Sequence, residues 1–200
     1  REDGSLNPYL LAAAYLLDIT EVYRVGGPWA IAAMACGTAS IPSVDVIAGP
    51  GNIFVTTAKK LVQGRVGIDM LAGPSEILVL ADDSIQADWI AADMLSQAEH
   101  DKLASAICVT DCPPLADRVI AALSQKLADL PRAEIASASL RDWGAVILVP
   151  NLQVGIDMAN AIAPEHMEVL TRSPWNVMPK IRHAGALFLG PHSAEPVGDY

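Results

Sequence analysis

The chain has 200 residues, 52% of them hydrophobic and 18% charged, with a formal net charge of -10. That profile is globular rather than disordered, and the negative charge argues against a nucleic-acid backbone or an anionic membrane as partner. No apolar run approaches about 18 residues, so no transmembrane helix is expected. The first residues lack the apolar core of a signal peptide. Cys36, Cys108 and Cys112 form no CxxC pair and no disulfide framework, which points to a reducing compartment, the cytoplasm.

Asn7-Pro8 opens a first helix through the Ala- and Leu-rich stretch to Leu17. Glu21–Val25 reads as a short strand stopped by Gly26-Gly27, and Pro28 starts a second helix through Ala35, with Cys36 a buried thiol at its end. Val44–Ala48 is the next strand. It runs into Gly49-Pro50-Gly51-Asn52 and a helix from Ile53 to Val62. Two strand–turn–helix units in succession suggest a parallel α/β layer. Residues 64–74 break the rhythm, with a short strand near Val66–Met70, and the domain crossover is placed near Ser75, giving units 1–75 and 76–200.

The second unit opens on Glu76–Ala81, a nearly continuous apolar run of the kind covered on both faces. Asp82-Asp83-Ser84 is expected to cap the helix that leads to His100. Strand Ser105–Thr110, a long helix from Pro113 to Leu130, a short helix to about Leu140, strand Gly144–Pro150 and helix Asn151–Ile162 come next. Strand Met167–Thr171, helix Pro174–His183 and strand Ala186–Leu189 are the last elements. The alternation predicts a second doubly wound sheet, in which ligands collect beyond the carboxyl ends of the strands. The fold class is therefore α/β, two incomplete Rossmann-like units with mostly parallel sheets.

Three polar clusters carry candidate chemistry. Asp93, Gln97 and His100 are spaced i, i+4 and i+7 and share one helical face; Glu165-His166 follows Pro164; Glu195 to Asp199 lies at the end. They either converge on one metal-dependent site or merely solvate and cap element ends. His100 is the strongest single zinc candidate. Gln97 lies on the same face, although Asp93 or Glu99 would be the more usual donor type. A carboxylate beside an imidazole at 165–166 suits general acid/base work, provided the backbone turns between them. Gly49-Pro50-Gly51-Asn52 either presents N–H groups to a phosphate or is an ordinary strand-to-helix turn. Ser75 lacks a nucleophile-elbow motif and is read as positioning a substrate. His183 and His192 read as surface or capping residues.

Taken together, Gly49-Pro50-Gly51-Asn52-Ile53-Phe54-Val55, Ile68-Asp69-Met70 with Ala72-Gly73-Pro74-Ser75-Glu76, Leu95-Ser96-Gln97-Ala98-Glu99-His100, Pro164-Glu165-His166 and Gly198-Asp199-Tyr200, in that order, resemble histidinol dehydrogenase over all 200 residues. The resemblance implies oxidation of L-histidinol through L-histidinaldehyde to L-histidine with two NAD in sequence and a zinc ion. It implies Gln97, His100 and Asp199 as zinc ligands, and Glu165 as the acid/base that activates water. His166 would be the base on the substrate hydroxyl. Ser75, Gln97, His100, His166, Glu195 and Asp199 would contact substrate, and Asn52 would contact NAD. Gly26-Gly27-Pro28-Trp29 stands where the family usually has Gly-Gly-Ala-Gln. Trp29 therefore takes the place of a cofactor-contacting Gln, and either stacks on NAD or weakens its binding.

The resemblance further implies that this is the central part of a longer chain. The rest of that chain supplies strands to one sheet and an aromatic NAD contact. It also supplies a fourth zinc ligand, a His, and a substrate-contacting Glu, both from the partner subunit of a homodimer. The 200 residues alone are therefore expected to be silent. Two alternatives differ in class: a zinc-dependent dehydrogenase of a related amino alcohol, and a degenerate module that keeps the fold without catalysis.

Overall fold

The computed structural model describes residues 5–199, with the backbone alone at Asp199. The chain divides into two compact units, Arg1–Gly73 and Pro74–Tyr200. Both are α/β, and every strand pairing among the described residues is parallel.

The first unit holds helices α1 (Pro8–Leu16), α2 (Gly27–Cys36) and α3 (Ile53–Val62) and strands β1 (Val46–Ile47) and β2 (Gly67–Ile68). Its small core is Ile31, Ala35, Ile47 and Val66, with Val55, Ala58 and Val62 of α3 packed against it. α1 buries none of its residues, although it is apolar all round; Tyr9, Tyr15 and Leu16 are about four-fifths exposed. Glu21–Val25 is not a strand, because an extended segment needs a neighbour for its ladder bonds and no described strand lies beside it. Cys36 is exposed rather than buried: the face of α2 that packs inward carries Ile31 and Ala35.

A charge pair with one buried member fixes the turn between β1 and α3. Lys59 is 4% exposed, and its Nζ donates to the Gly49 carbonyl and to Asp69 Oδ1, both at 2.6 Å. Asp69 Oδ2 accepts the Gly49 N–H at 2.8 Å. Both backbone groups of Gly49 are thus held, in a conformation with φ 130 that suits glycine. Gly51 is required for a different reason: a Cβ there would collide with Val55.

The second unit holds β3 (Glu76–Ala81), α4 (Ala87–Ala98), β4 (Ser105–Thr110), α5 (Pro113–Leu127), α6 (Ala133–Trp143), β5 (Gly144–Leu148), α7 (Leu152–Ile162), β6 (His166–Leu170), α8 (Pro174–Val177) and β7 (Ala186–Leu189). The five strands lie in the order β5-β4-β3-β6-β7. This is doubly wound topology, in which the chain works outward from β3 and then crosses to the other side. α4, α5 and α6 cover one face with Ile90, Met94, Leu95, Leu115, Val119 and Ala136. α7 and α8 cover the other with Ile156, Ala159 and Val177. Ile77 to Ala81 are buried on both faces at 1% exposure or less, which explains the uninterrupted apolar run. Each large side chain there contributes about 1.5–3 kcal/mol.

Local departures have local causes. α4 starts at Ala87 with Gln86 at its N-cap, not after Asp82-Asp83-Ser84, because Asp82 turns back to accept the Ser84 N–H and the Arg172 N–H. The segment after β6 is a four-residue helix and a 3-10 turn, Met178–Lys180, not one helix to His183. Asn160 holds the stretch between that turn and β7: it donates to the Lys180 carbonyl and accepts from the Arg182 and His183 N–H groups. Cys108 is buried in β4, where burial pushes its thiol up to about 12, so it is no nucleophile at neutral pH. No helix among the described residues is long and apolar enough to cross a membrane.

This packing has two measurable outcomes. A Cβ on Gly155 would lie 2.8 Å from Leu80 Cδ1 and 3.3 Å from Val109 Cγ1, so Gly155→Val pries α7 from the sheet. The expected loss is about 1–3 kcal/mol in urea unfolding. The bonds from Gly49 and Lys59 hold the Asp69 carboxyl well below its usual 3.8. A depressed carboxylate stabilises the fold above its unfolded pKa, and that contribution is lost as pH falls. Asp69→Asn should therefore narrow the loss of urea resistance between about pH 5 and about pH 1 relative to the unaltered chain. Identical acid profiles would show that the pair contributes nothing.

Candidate active site

The parallel pairing of β3 with β6 places Ile77 opposite His166. Ser75 and Glu76, at the start of β3, therefore lie at the same edge of the sheet as Glu165 and His166. α7 ends there with Ala163 in the left-handed conformation (φ 55, ψ 56), a strained choice for a residue with a Cβ. The chain turns through Pro164 and Glu165 into β6, and this turn is what allows two adjacent side chains to work at one edge. The Gly185 N–H donates to the Pro164 carbonyl and the Ala186 N–H to that of Glu165. Gly185 must be glycine, since a Cβ would sit 2.7 Å from the Glu165 carbonyl oxygen.

Along β6, His166, Glu168 and Leu170 share one side of the strand, and Leu170 packs in the core that α4 covers. Gln97, in the last turn of α4, is 1% exposed and meets His166 there: its Oε1 is 3.2 Å from His166 Nδ1. Glu195 opens the 3-10 turn Glu195–Asp199, and its Oε1 is also 3.2 Å from His166 Nδ1. Gln97 Oε1 and the Glu195 carboxylate are both acceptors, so Nδ1 is the donor toward them and Nε2 takes part in neither contact. The ring also stands edge-on to Phe188 at 6.1 Å. Gly198 lies close on Phe188, where a Cβ would be 2.9 Å from the ring.

The other candidates are less closely joined. Glu165 is exposed, and its Oε2 accepts the Glu76 N–H at 3.3 Å. Ser75 is half-buried at the start of β3, and its carbonyl accepts the Ser105 N–H. His100 lies beyond the end of α4, exposed, with its carbonyl held by Arg132. The Asp199 side chain lies outside the described residues. In the first unit, Asn52 caps α3, with Oδ1 accepting the Phe54 and Val55 N–H groups. Those N–H groups and that of Gly49 are thus taken internally, which favours the ordinary strand-to-helix turn over a phosphate cradle. Trp29 is 75% exposed in the first turn of α2.

Two features differ from the sequence reading. The candidate residues gather at the amino ends of the strands, not beyond the carboxyl ends; the carboxyl ends of β3 and β6 carry the Asp82, Asp83 and Arg172 contacts instead. Glu168 was also not foreseen. It is fully buried, its Oε1 accepts the Glu195 N–H at 2.8 Å, and it faces Asp93 of α4. Burial first, then repulsion from Asp93, pushes its carboxyl well above the usual range; burial also raises Asp93. The signal in the sequence was a lone carboxylate in the apolar run 167–170.

The donor types present suit zinc: a buried amide oxygen and an exposed imidazole. Their number does not close a site, since no group of three His, Cys, Asp or Glu among the described residues is arranged to hold a metal.

The family model for histidinol dehydrogenase matches residues 1–200. Histidinol dehydrogenase of Nitratidesulfovibrio vulgaris is 64% identical over the whole chain, and that of Moorella thermoacetica 53%. The chain spans 46% and 47% of those relatives, so it corresponds to about half their length. The crystal structure of histidinol dehydrogenase from Elizabethkingia anophelis aligns with a TM-score of 0.91 at 40% identity, over 98% of this chain and 45% of that one. With its α/β fold and its motifs matched from one end to the other, the chain belongs to the histidinol dehydrogenase family.

Proposed function

We propose that the protein carrying this chain oxidises L-histidinol to L-histidine by way of L-histidinaldehyde, with NAD as hydride acceptor and zinc as a bound ion. The observation that carries the reading is His166, held at Nδ1 by Gln97 and Glu195, with Nε2 in neither contact. An imidazole fixed through one nitrogen suits removal of the substrate's hydroxyl proton through the other, while hydride leaves the carbon that bears the hydroxyl.

Gln97, His100 and Asp199 would hold the zinc, completed by a further donor from outside these 200 residues. Bound there, the ion would supply a fixed anchor for the imidazole and amine of the substrate. NAD would supply the acceptor for hydride. Asn52 would contact it through the amide nitrogen, since its oxygen is engaged at the helix cap, with Trp29 offering an exposed ring for stacking. Glu195 holds His166 in place. Ser75 would orient the substrate at the start of β3. Glu165 has one oxygen on the Glu76 N–H and one without a partner among the described residues. That free oxygen would take a proton from water as it adds to the aldehyde. The hydrated aldehyde then loses a second hydride to give the carboxylate.

The same reading assigns a homodimer with a shared site, in the cytoplasm, with no nucleic-acid or membrane partner. The 200-residue segment alone should turn over no histidinol, because Gln97, His100 and Asp199 bring three zinc donors where four are usual.

In the full-length chain with zinc, His166→Ala should lower kcat for NADH formation from L-histidinol by about 100- to 10,000-fold. Glu165→Gln should spare the first oxidation and block the second, so the NADH released per histidinol falls from two toward one. Better turnover of another amino alcohol than of histidinol would refute the substrate. A folded, zinc-loaded full-length chain with no turnover at all would refute the enzyme reading.

A further inference from the structure

We propose that Glu168 is a positioning residue, a neutral carboxylic acid that bridges Asp93 to the Glu195 backbone and thereby sets the Glu195 carboxylate against His166. The inference rests on the assignment of His166 as the base.

Glu168 Oε1 accepts the Glu195 N–H at 2.8 Å. The same residue, Glu195, reaches His166 Nδ1 with its side chain. The turn that carries Glu195 is therefore fastened to β6 two residues beyond the imidazole it serves. The other oxygen of Glu168 is a buried atom with no donor among the described residues, and the Glu168 side chain neighbours the Asp93 carboxyl. Two acceptors in contact are stable only when one of them holds a proton. Glu168 is fully buried and Asp93 half-buried, so the proton belongs on Glu168. In that form Glu168 donates to Asp93 and accepts from Glu195, and its orphaned oxygen is satisfied. Glu195 is then left as the negative partner of the imidazole.

This state makes a distinctive demand on substitution. Glutamine reproduces a protonated glutamate: its oxygen accepts from the Glu195 N–H and its NH2 donates to Asp93. Methionine fills similar space but leaves the Glu195 N–H unpaired. In the full-length enzyme, Glu168→Gln should keep kcat within about threefold of the unaltered protein. Glu168→Met should lower kcat about 10- to 100-fold with KM for NAD unchanged, as expected of a displaced positioning group. Amide hydrogen exchange provides a readout independent of the substrate: the Glu195 N–H should stay protected in Glu168→Gln and exchange at least about tenfold faster in Glu168→Met. If Glu168→Met does not fold, the Gln variant still decides the matter. A Gln variant with lost activity or lost protection overturns the neutral bridge, and a Met variant with full activity and full protection overturns the positioning role. Loss of histidinol turnover in the unaltered enzyme would count against the assigned reaction, while the exchange data would still judge the bridge.

Discussion

The pairing of β3 with β6 is the constraint on which the second unit depends. It is the point where a sheet growing one way through β4 and β5 reverses and grows the other way through β7. Ile77 opposite His166 fixes the register. A slip by one residue would turn His166 and Glu168 away from α4 and drive Met167 and Val169 into their place. The buried side chains on both faces oppose such a slip, so the apolar core and the position of the imidazole are specified together.

Around that register, polar groups are added in a chain of dependence. Gln97 can meet His166 because α4 crosses the sheet on the face to which β6 directs its polar residues. Glu195 can meet the same nitrogen because its own N–H is fastened to Glu168. The first unit repeats the logic on a smaller scale. Asp69 and Lys59 take both polar groups of Gly49, and Asn52 takes two N–H groups of α3. In each unit a carboxylate holds a backbone turn: Asp69, paired with the buried Lys59, in the first and the fully buried Glu168 in the second.

Much of the fold was legible in the sequence because its signals were local. The covered run Ile77–Ala81, the prolines at helix starts and the asparagines before α3 and α7 each act within a few residues. The strand expected at Glu21–Val25 failed because β-branched residues make a strand only when a neighbour completes its hydrogen bonds. Cys36 failed because composition does not say which side of a helix faces in. Gln97, Glu165, His166 and Glu195 were legible through the family motifs, and the structure joins Gln97, His166 and Glu195 directly. Glu168 and the Lys59–Asp69 pair were not foreseen, since their meaning lies in partners distant along the chain: Asp69 for Lys59, and Asp93 and Glu195 for Glu168. The edge of the sheet was misjudged for a physical reason as well: the carboxyl-end rule describes where dinucleotides settle, and it need not govern residues that arrive with β6 and the last turn of α4.

That choice of edge sets the sign of the local field. At the carboxyl end of a parallel sheet, helices begin, and their unpaired N–H groups favour phosphates and other anions. At the amino end helices finish, and here α4 and α7 both bring their last carbonyls to the edge that holds Glu165 and Glu195. Helix C-termini and carboxylates together favour positive charge. This end of the sheet is therefore a poor host for a pyrophosphate and a good one for an ammonium group, a metal ion or an imidazole that has just taken up a proton. A fold known for holding nucleotides has, at its opposite end, the polarity needed to hold a cation.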